Sequence, residues 1–315
     1  MPRRPTVSVI EEITAGSSAP WPPEAHGDRI ATQLDYARLY RNRRDEILSR
    51  WSADLVKWLA SEDELVPYPA PKLAARTLAA FLFGEDPRIS HENDDVRSAL
   101  VEMAAETNLS ARFLEGGITQ AVEGEIYLRP AWDDEISPEW AIPTVVPGSR
   151  VIPRFRFGIL VDAAIVTEYR DQSGSTVYRH LEHHERGTIR NRLYRGSADR
   201  LGREIGLDEI VATRDLEPEI PTGVDRLLMV HVPLARDASS PHGVSLFDGL
   251  ESIILALHRL YSQEQHDAEL ARKRIALPES YVGRNASGRP AWDRRTDLFP
   301  LSEEAEGAVG SDRNP

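Results

Sequence analysis

Apolar residues first fall into a helical rhythm between Leu34 and Ala60. Leu34, Leu39, Tyr40, Ile47, Leu48, Trp51, Leu55, Trp58 and Leu59 recur at three- and four-residue steps. Arg38, Arg41, Arg43, Arg44 and Arg50 lie between them and form a basic side. A shorter helix begins at Pro71, carries Leu73, Thr77, Leu78 and Phe81, and stops at Gly84. Asp94 is placed to cap a third helix through Val96, Leu100 and Val101, and Ser110 a fourth over 111–122. The pair Gly116-Gly117 inside that fourth helix predicts a kink or a close backbone contact.

After Gly124 the period shortens to two. Strands are predicted over 125–129, 151–160, 163–170, 175–184, 188–195 and 227–232, with a loop over 130–143 and a short helix over 197–204. The fold class read from this order is α+β: N-terminal helices, then an antiparallel meander, then one long helix. That last helix starts at Asp248, where Asp248-Gly249-Leu250-Glu251 has the form of a capping box. Leu250, Ile253, Ile254, Leu257, Leu260, Tyr261 and Ile275 mark its apolar stripe, and Ser252, Arg259, Ser262, Gln263, His266 and Lys273 lie opposite. Run to Ile275 or Ala276, it would be about 40 Å long. Residues 1–30 read as a flexible arm and 302–315 as a disordered tail.

Composition narrows the function classes. The 315 residues contain no cysteine, which removes thiolate metal sites and cysteine nucleophiles. The formal charge is −13, wrong for a protein that grips duplex DNA through a basic surface. No apolar run approaches the ~20 residues of a membrane span, and the chain reads as soluble and intracellular. There is no P-loop, dinucleotide fingerprint, G-x-S-x-G or H-E-x-x-H. One cluster invites chemistry: in a strand, His180, Glu182 and His184 share a face. Two imidazoles and a carboxylate would suit a divalent metal in a hydrolase or nuclease. The competing account is a solvated polar face paired with Arg179, Arg186 and Arg190.

Three stretches together resemble the portal proteins of tailed bacteriophages, especially those infecting actinobacteria. They are Ala75–Pro87 with Glu123–Pro130, Val177–Gly187 running on to Leu201-Gly202, and Gly243 through the long helix to Ile275-Ala276-Leu277-Pro278. The similarity spans about Leu34 to Leu301. It implies a structural protein rather than an enzyme, with no cofactor and no metal. Such proteins form a ring, dodecameric when complete, at one capsid vertex of the virion and are assembled in the bacterial cytoplasm. Their partners are further copies of themselves, the terminase, the major capsid or scaffolding protein and the head-tail connector; double-stranded DNA passes through the channel and no membrane is involved.

By analogy, 31–246 is a wing-like domain, 247–277 a stem helix and 278–301 the start of a clip. The remaining elements of that family are not found after Leu301, so the chain reads as a truncated or split portal.

Overall fold

The computed structural model describes residues 8, 9, 13, 19–55, 65–172 and 174–269, and the backbone of 270, 275–278 and 298–301. These divide into two units, residues 1–50 with 69–252 and residues 51–68 with 253–315.

The first helical run is not continuous. Helix α1 spans Glu24–Arg41 and α2 spans Arg44–Leu55. Between them Asn42 turns left-handed, its N–H closing on the Arg38 carbonyl, as asparagine tolerates better than most residues. The basic side of this region is largely neutralised: Arg38 and Arg50 pair with Asp35, and Arg41 and Arg43 with Glu46. The arm expected over 1–30 is ordered where it is described. Helix α1 begins at Glu24, and Val9 and Ile13 are buried among the sheet residues Ile152, Leu181 and Tyr194.

Helix α3 (Ala70–Phe83), α4 (Asp94–Glu106) and α5 (Leu109–Glu123) follow. Asn93, not Asp94, caps α4, its side chain accepting from the N–H groups of Asp95 and Val96. Helix α5 starts at Leu109 after a left-handed Asn108, so Ser110 lies inside it. The glycine pair in α5 lets neighbours in. A Cβ on Gly117 would stand 2.4 Å from the Phe83 ring, and one on Gly116 3.0 Å from Val145. Gly117→Val is therefore expected to destabilise by about 1–3 kcal/mol through overpacking. Gly27→Ala on α1, whose added Cβ would meet Pro22 at an ordinary contact distance of 3.9 Å, should be neutral or stabilising by up to about 1 kcal/mol. Urea midpoints of the two variants check the contrast.

An antiparallel meander forms, but its first turn falls at Phe157-Gly158, inside the expected strand 151–160, and not between Leu160 and Ala163. Strands β3 (Val151–Arg156), β4 (Ile159–Arg170), β5 (Val177–Glu185), β6 (Thr188–Ser197) and β7 (Arg200–Ile205) are antiparallel neighbours in chain order, and β8 (Glu219–Pro221) pairs with β6. A second, three-stranded sheet has the order β2-β1-β9, from β1 (Glu125–Asp133), β2 (Ser137–Pro147) and β9 (Val230–Pro233).

Two expectations fail here for backbone reasons. Residues 130–143 are mostly strand, not loop. Strand β2 is an edge, and β9 covers β1 only as far as Leu128, so the prolines of this stretch leave no neighbour without a donor. Residues 197–204 are a turn and strand, not a helix. Gly202 sits at φ +85°, and Leu201 points into the core.

Both faces of the larger sheet are covered. Ile152, Ala164, Val166 and Leu181 meet Val9, Ile13 and Trp21 on one side. Val151, Ala163 and Ile165 meet Tyr127, Val146 and Met229 on the other. The tip joining β3 to β4 is the two-residue turn Phe157-Gly158, with φ +52° and +75°. A left-handed conformation costs a residue other than glycine roughly 1–2 kcal/mol.

In the second unit, helix α6 belongs mainly to residues beyond 252. It spans Glu251–Leu270, starting three residues after the expected cap. The helix expected to reach Ile275 or Ala276 does not. Ile275–Pro278 is strand β10, paired in parallel with β11 (Leu298–Leu301). A parallel pair needs extended backbone at Ile275, which removes that residue from the helical stripe. The tail over 302–315 and most of the clip-like segment lie outside the described residues.

Candidate functional site

Strand β5 brings His180, Glu182 and His184 to one face, as period two requires. That face is not solvated. Glu182 stands opposite Ile165, and His184 opposite Ala163, so the three residues lie on the side facing the three-stranded sheet. Both imidazoles are buried. His180 Nε2 donates to Asn191 Oδ1 at 2.9 Å, and Asn191 in turn donates its amide to the Glu217 carbonyl at 2.7 Å. His184 Nε2 donates to Glu182 Oε1 at 2.7 Å. Glu182 also pairs with Arg129 of β1 at 3.0 Å.

The arginines expected beside this cluster pair elsewhere: Arg179 with Glu168, Arg186 with Asp225, and Arg190 with Glu185 and Glu219. A metal needs a lone pair from each imidazole; both Nε2 atoms here carry protons held by oxygen acceptors, which leaves only the Nδ1 atoms, and that of His184 is buried with no hydrogen-bond partner. Among the described residues no three His, Asp or Glu side chains come together as a metal-holding group. The cluster ties the two sheets to each other.

A cleft of about 370 Å³ opens beside β6 and β7, between Arg192, Glu204, Asp208 and Arg214. None of the three β5 residues lines it. The Arg192–Glu204 pair at 2.9 Å already links two of its charged residues.

The most connected buried charge is one that sequence reasoning missed. Glu125, fully buried at the start of β1, accepts from Arg29 Nη1 at 2.9 Å, Gln33 Nε2 at 3.2 Å, His231 Nε2 at 2.7 Å, His242 Nδ1 at 3.2 Å and the Gly243 N–H at 3.1 Å. Burial pushes its carboxyl up, but the bonds from His231 and His242 and the charge of Arg29 outweigh that and hold it well below the usual carboxylate range. Its partners lie about 90–120 positions away in sequence, so only topology could have revealed it.

The predicted stem residues divide differently from the expected stripe. Ile254, His258 and Ser262 are the buried line of α6. Ile253 and Leu260, 57% and 62% exposed, sit roughly 100° and 120° around the helix from Ile254. Leu250 is exposed just ahead of the helix, while Leu257 and Tyr261 are half-buried. Of the expected polar side, Ser252 and Gln263 are exposed, Arg259 and His266 half-buried, and Ser262 buried; Lys273 and the Ile275 side chain lie outside the described residues.

Ser262 is inside because its hydroxyl donates to the His258 carbonyl at 2.7 Å and accepts the Val66 N–H at 2.9 Å. His258 Nδ1 accepts the Tyr68 N–H at 2.9 Å, which fixes the proton on Nε2. Tyr68 also packs on Tyr261 with ring centroids 5.2 Å apart.

Four histidines are lowered by burial, His180 among them against its hydrogen bond to Asn191. Burial lowers His258 to about 4. Burial, then the nearby charges of Arg29 and His242, lower His26 to about 4. Burial likewise lowers His183, against the pull of Glu185. Each is depressed below its unfolded value, so between about pH 6.5 and 4 the unfolded chain binds more protons. Stability is expected to fall as pH drops through that window, before most carboxylates titrate. Urea midpoints from pH 7.5 to 4 check this; a flat profile between pH 6.5 and 5 contradicts it.

The chain matches no protein-family model and no curated protein with which it was compared.

Proposed function

We propose that this chain is a structural protein of the tailed-phage portal kind, assembling with copies of itself into a ring through which duplex DNA passes. The observation that carries the reading is α6, a 20-residue helix with Ile253 and Leu260 more than half exposed. Large apolar residues left outside on a long helix fit contact with further copies better than a solvated surface. The element order supports it as well: helices, then antiparallel sheets, then a single long helix and a short strand pair. The net charge of −13 fits a wall past which DNA slides without being held.

The metal-dependent alternative at His180, Glu182 and His184 finds no comparable support, because those side chains are committed to Asn191, Arg129 and one another. Light scattering coupled to size exclusion, with negative-stain microscopy at low and high ionic strength, tests the reading. A closed ring with an opening wide enough for a double helix is the expected result. A monomer at every ionic strength, or a compact dimer with no opening, overturns it.

A further inference from the structure

A helix on a protein surface ordinarily turns charged and polar side chains outward. Helix α3 does the reverse. It buries Pro71, Ala75 and Ala79. On its opposite side Leu73, Thr77, Ala80 and Phe81 span about 100° of arc. All four are exposed, Phe81 at 84%. The N-terminal end of α3 also lacks negative charge. Pro69 supplies no side-chain cap, the first turn holds no acid, and Lys72 puts a cation there. A cation at a helix N-terminus opposes the macrodipole.

Helix α6 has the matching character. Its buried line is Ile254, His258 and Ser262. Ile253, Leu260, Glu264 and Asp267 lie on the far side, within about 60° of arc, and all are exposed. Glu264 and Asp267 stand in the last two turns, and the last turn holds no base, so these acids oppose the dipole as well. Neither has a counter-ion among the described residues. One surface is thus apolar with an uncovered positive end, and the other apolar with an uncovered negative end.

We propose that α3 of one copy lies antiparallel on α6 of a second copy. The spacings agree: Leu73 and Phe81 are about 12 Å apart along α3, and Ile253 and Leu260 about 10.5 Å along α6. In that register Leu73 meets Leu260, Phe81 meets Ile253, Glu264 reaches Lys72, and Asp267 lies just beyond the start of α3. Each helix supplies the charge that the other's end lacks. The two patches are different, so the contact is heterologous and closes into a ring if the rotation allows. The proposal rests on the self-assembly of the portal reading and names what covers the exposed side of α6.

Sedimentation velocity on the full chain, over a range of concentrations, tests it. Phe81→Gln and Leu260→Gln alter exposed side chains, so helix content by circular dichroism should hold while self-association weakens at least tenfold. Lys72→Glu and Glu264→Lys each move charge in the direction the helix dipole favours, so neither should weaken its own helix. Each should nevertheless weaken association, and the double reversal should restore it in part. If Phe81→Gln and Leu260→Gln associate as tightly as the wild type, if the double reversal recovers nothing, or if the wild-type chain stays monomeric, the contact is wrong. Rings that persist in Phe81→Gln keep the portal reading and remove this contact. Open chains or closed dimers abolished by Phe81→Gln keep the contact and remove the ring.

Discussion

Replacing Arg179 by methionine is expected to destabilise the fold by about 2–3 kcal/mol through the loss of a charged donor to several carbonyls; the partner carboxylate Glu168 is 36% exposed and is not left as a buried charge. The Arg179 side chain is 1% exposed. Its Nε donates to Glu168 at 2.7 Å, its Nη1 to the carbonyls of Ser197 and Arg200 at 2.8 Å each, and its Nη2 to the Ala198 carbonyl at 3.1 Å. The guanidinium also lies 4.7 Å from the centre of the Trp21 ring, and Trp21 Nε1 donates to the same Glu168.

One side chain therefore closes the β6–β7 turn and pins the residues before α1 to the larger sheet. Methionine matches much of the volume but supplies no donor, leaving the turn carbonyls to find water. Lysine keeps the charge and still lacks the planar fork, so Arg179→Lys should recover only part of the loss. Urea denaturation followed by tryptophan fluorescence reads both variants. A methionine variant within about 1 kcal/mol of wild type would mean that desolvation of the guanidinium cancels its bonds.

What the sequence made legible follows from the range over which each signal acts. Alternation is local, so the meander and the shared face of His180, Glu182 and His184 could be read directly. Burial of that face is not local. It depends on Arg129 arriving from the other sheet, and a polar face without that partner reads as solvated. The same limit explains α6. The spacing of leucines and isoleucines gave a helix, but the buried line runs through His258 and Ser262, because backbone groups at Val66 and Tyr68 need their side chains. Backbone geometry was the least readable. Nothing in Arg154–Leu160 marks a turn except Gly158, and Phe157 is a residue that turn statistics would place elsewhere.

Glu125 offers the other large effect. Glu125→Gln keeps the shape and removes the charge, leaving the half-buried Arg29 beside a neutral amide, with Gln33 and the Gly148 and Val151 carbonyls as its remaining acceptors. The amide nitrogen must also face one of the donors, Gln33, His231, His242 or the Gly243 N–H, that the carboxylate now accepts from. The expected loss at neutral pH is about 3–5 kcal/mol.

Its pH dependence has a definite sign. The folded-state pKa of Glu125 is held below the unfolded value. Its contribution is therefore complete above about pH 4.5 and is lost as pH falls toward the folded-state value. Glutamine has no such titration. The gap between wild type and Glu125→Gln should accordingly be widest near neutrality and narrow on acidification, as the wild type loses what the variant never had. Paired urea titrations at pH 7 and at pH 3.5 measure it. An equal gap at both values would mean that Glu125 holds Arg29, His231 and His242 by shape rather than by charge.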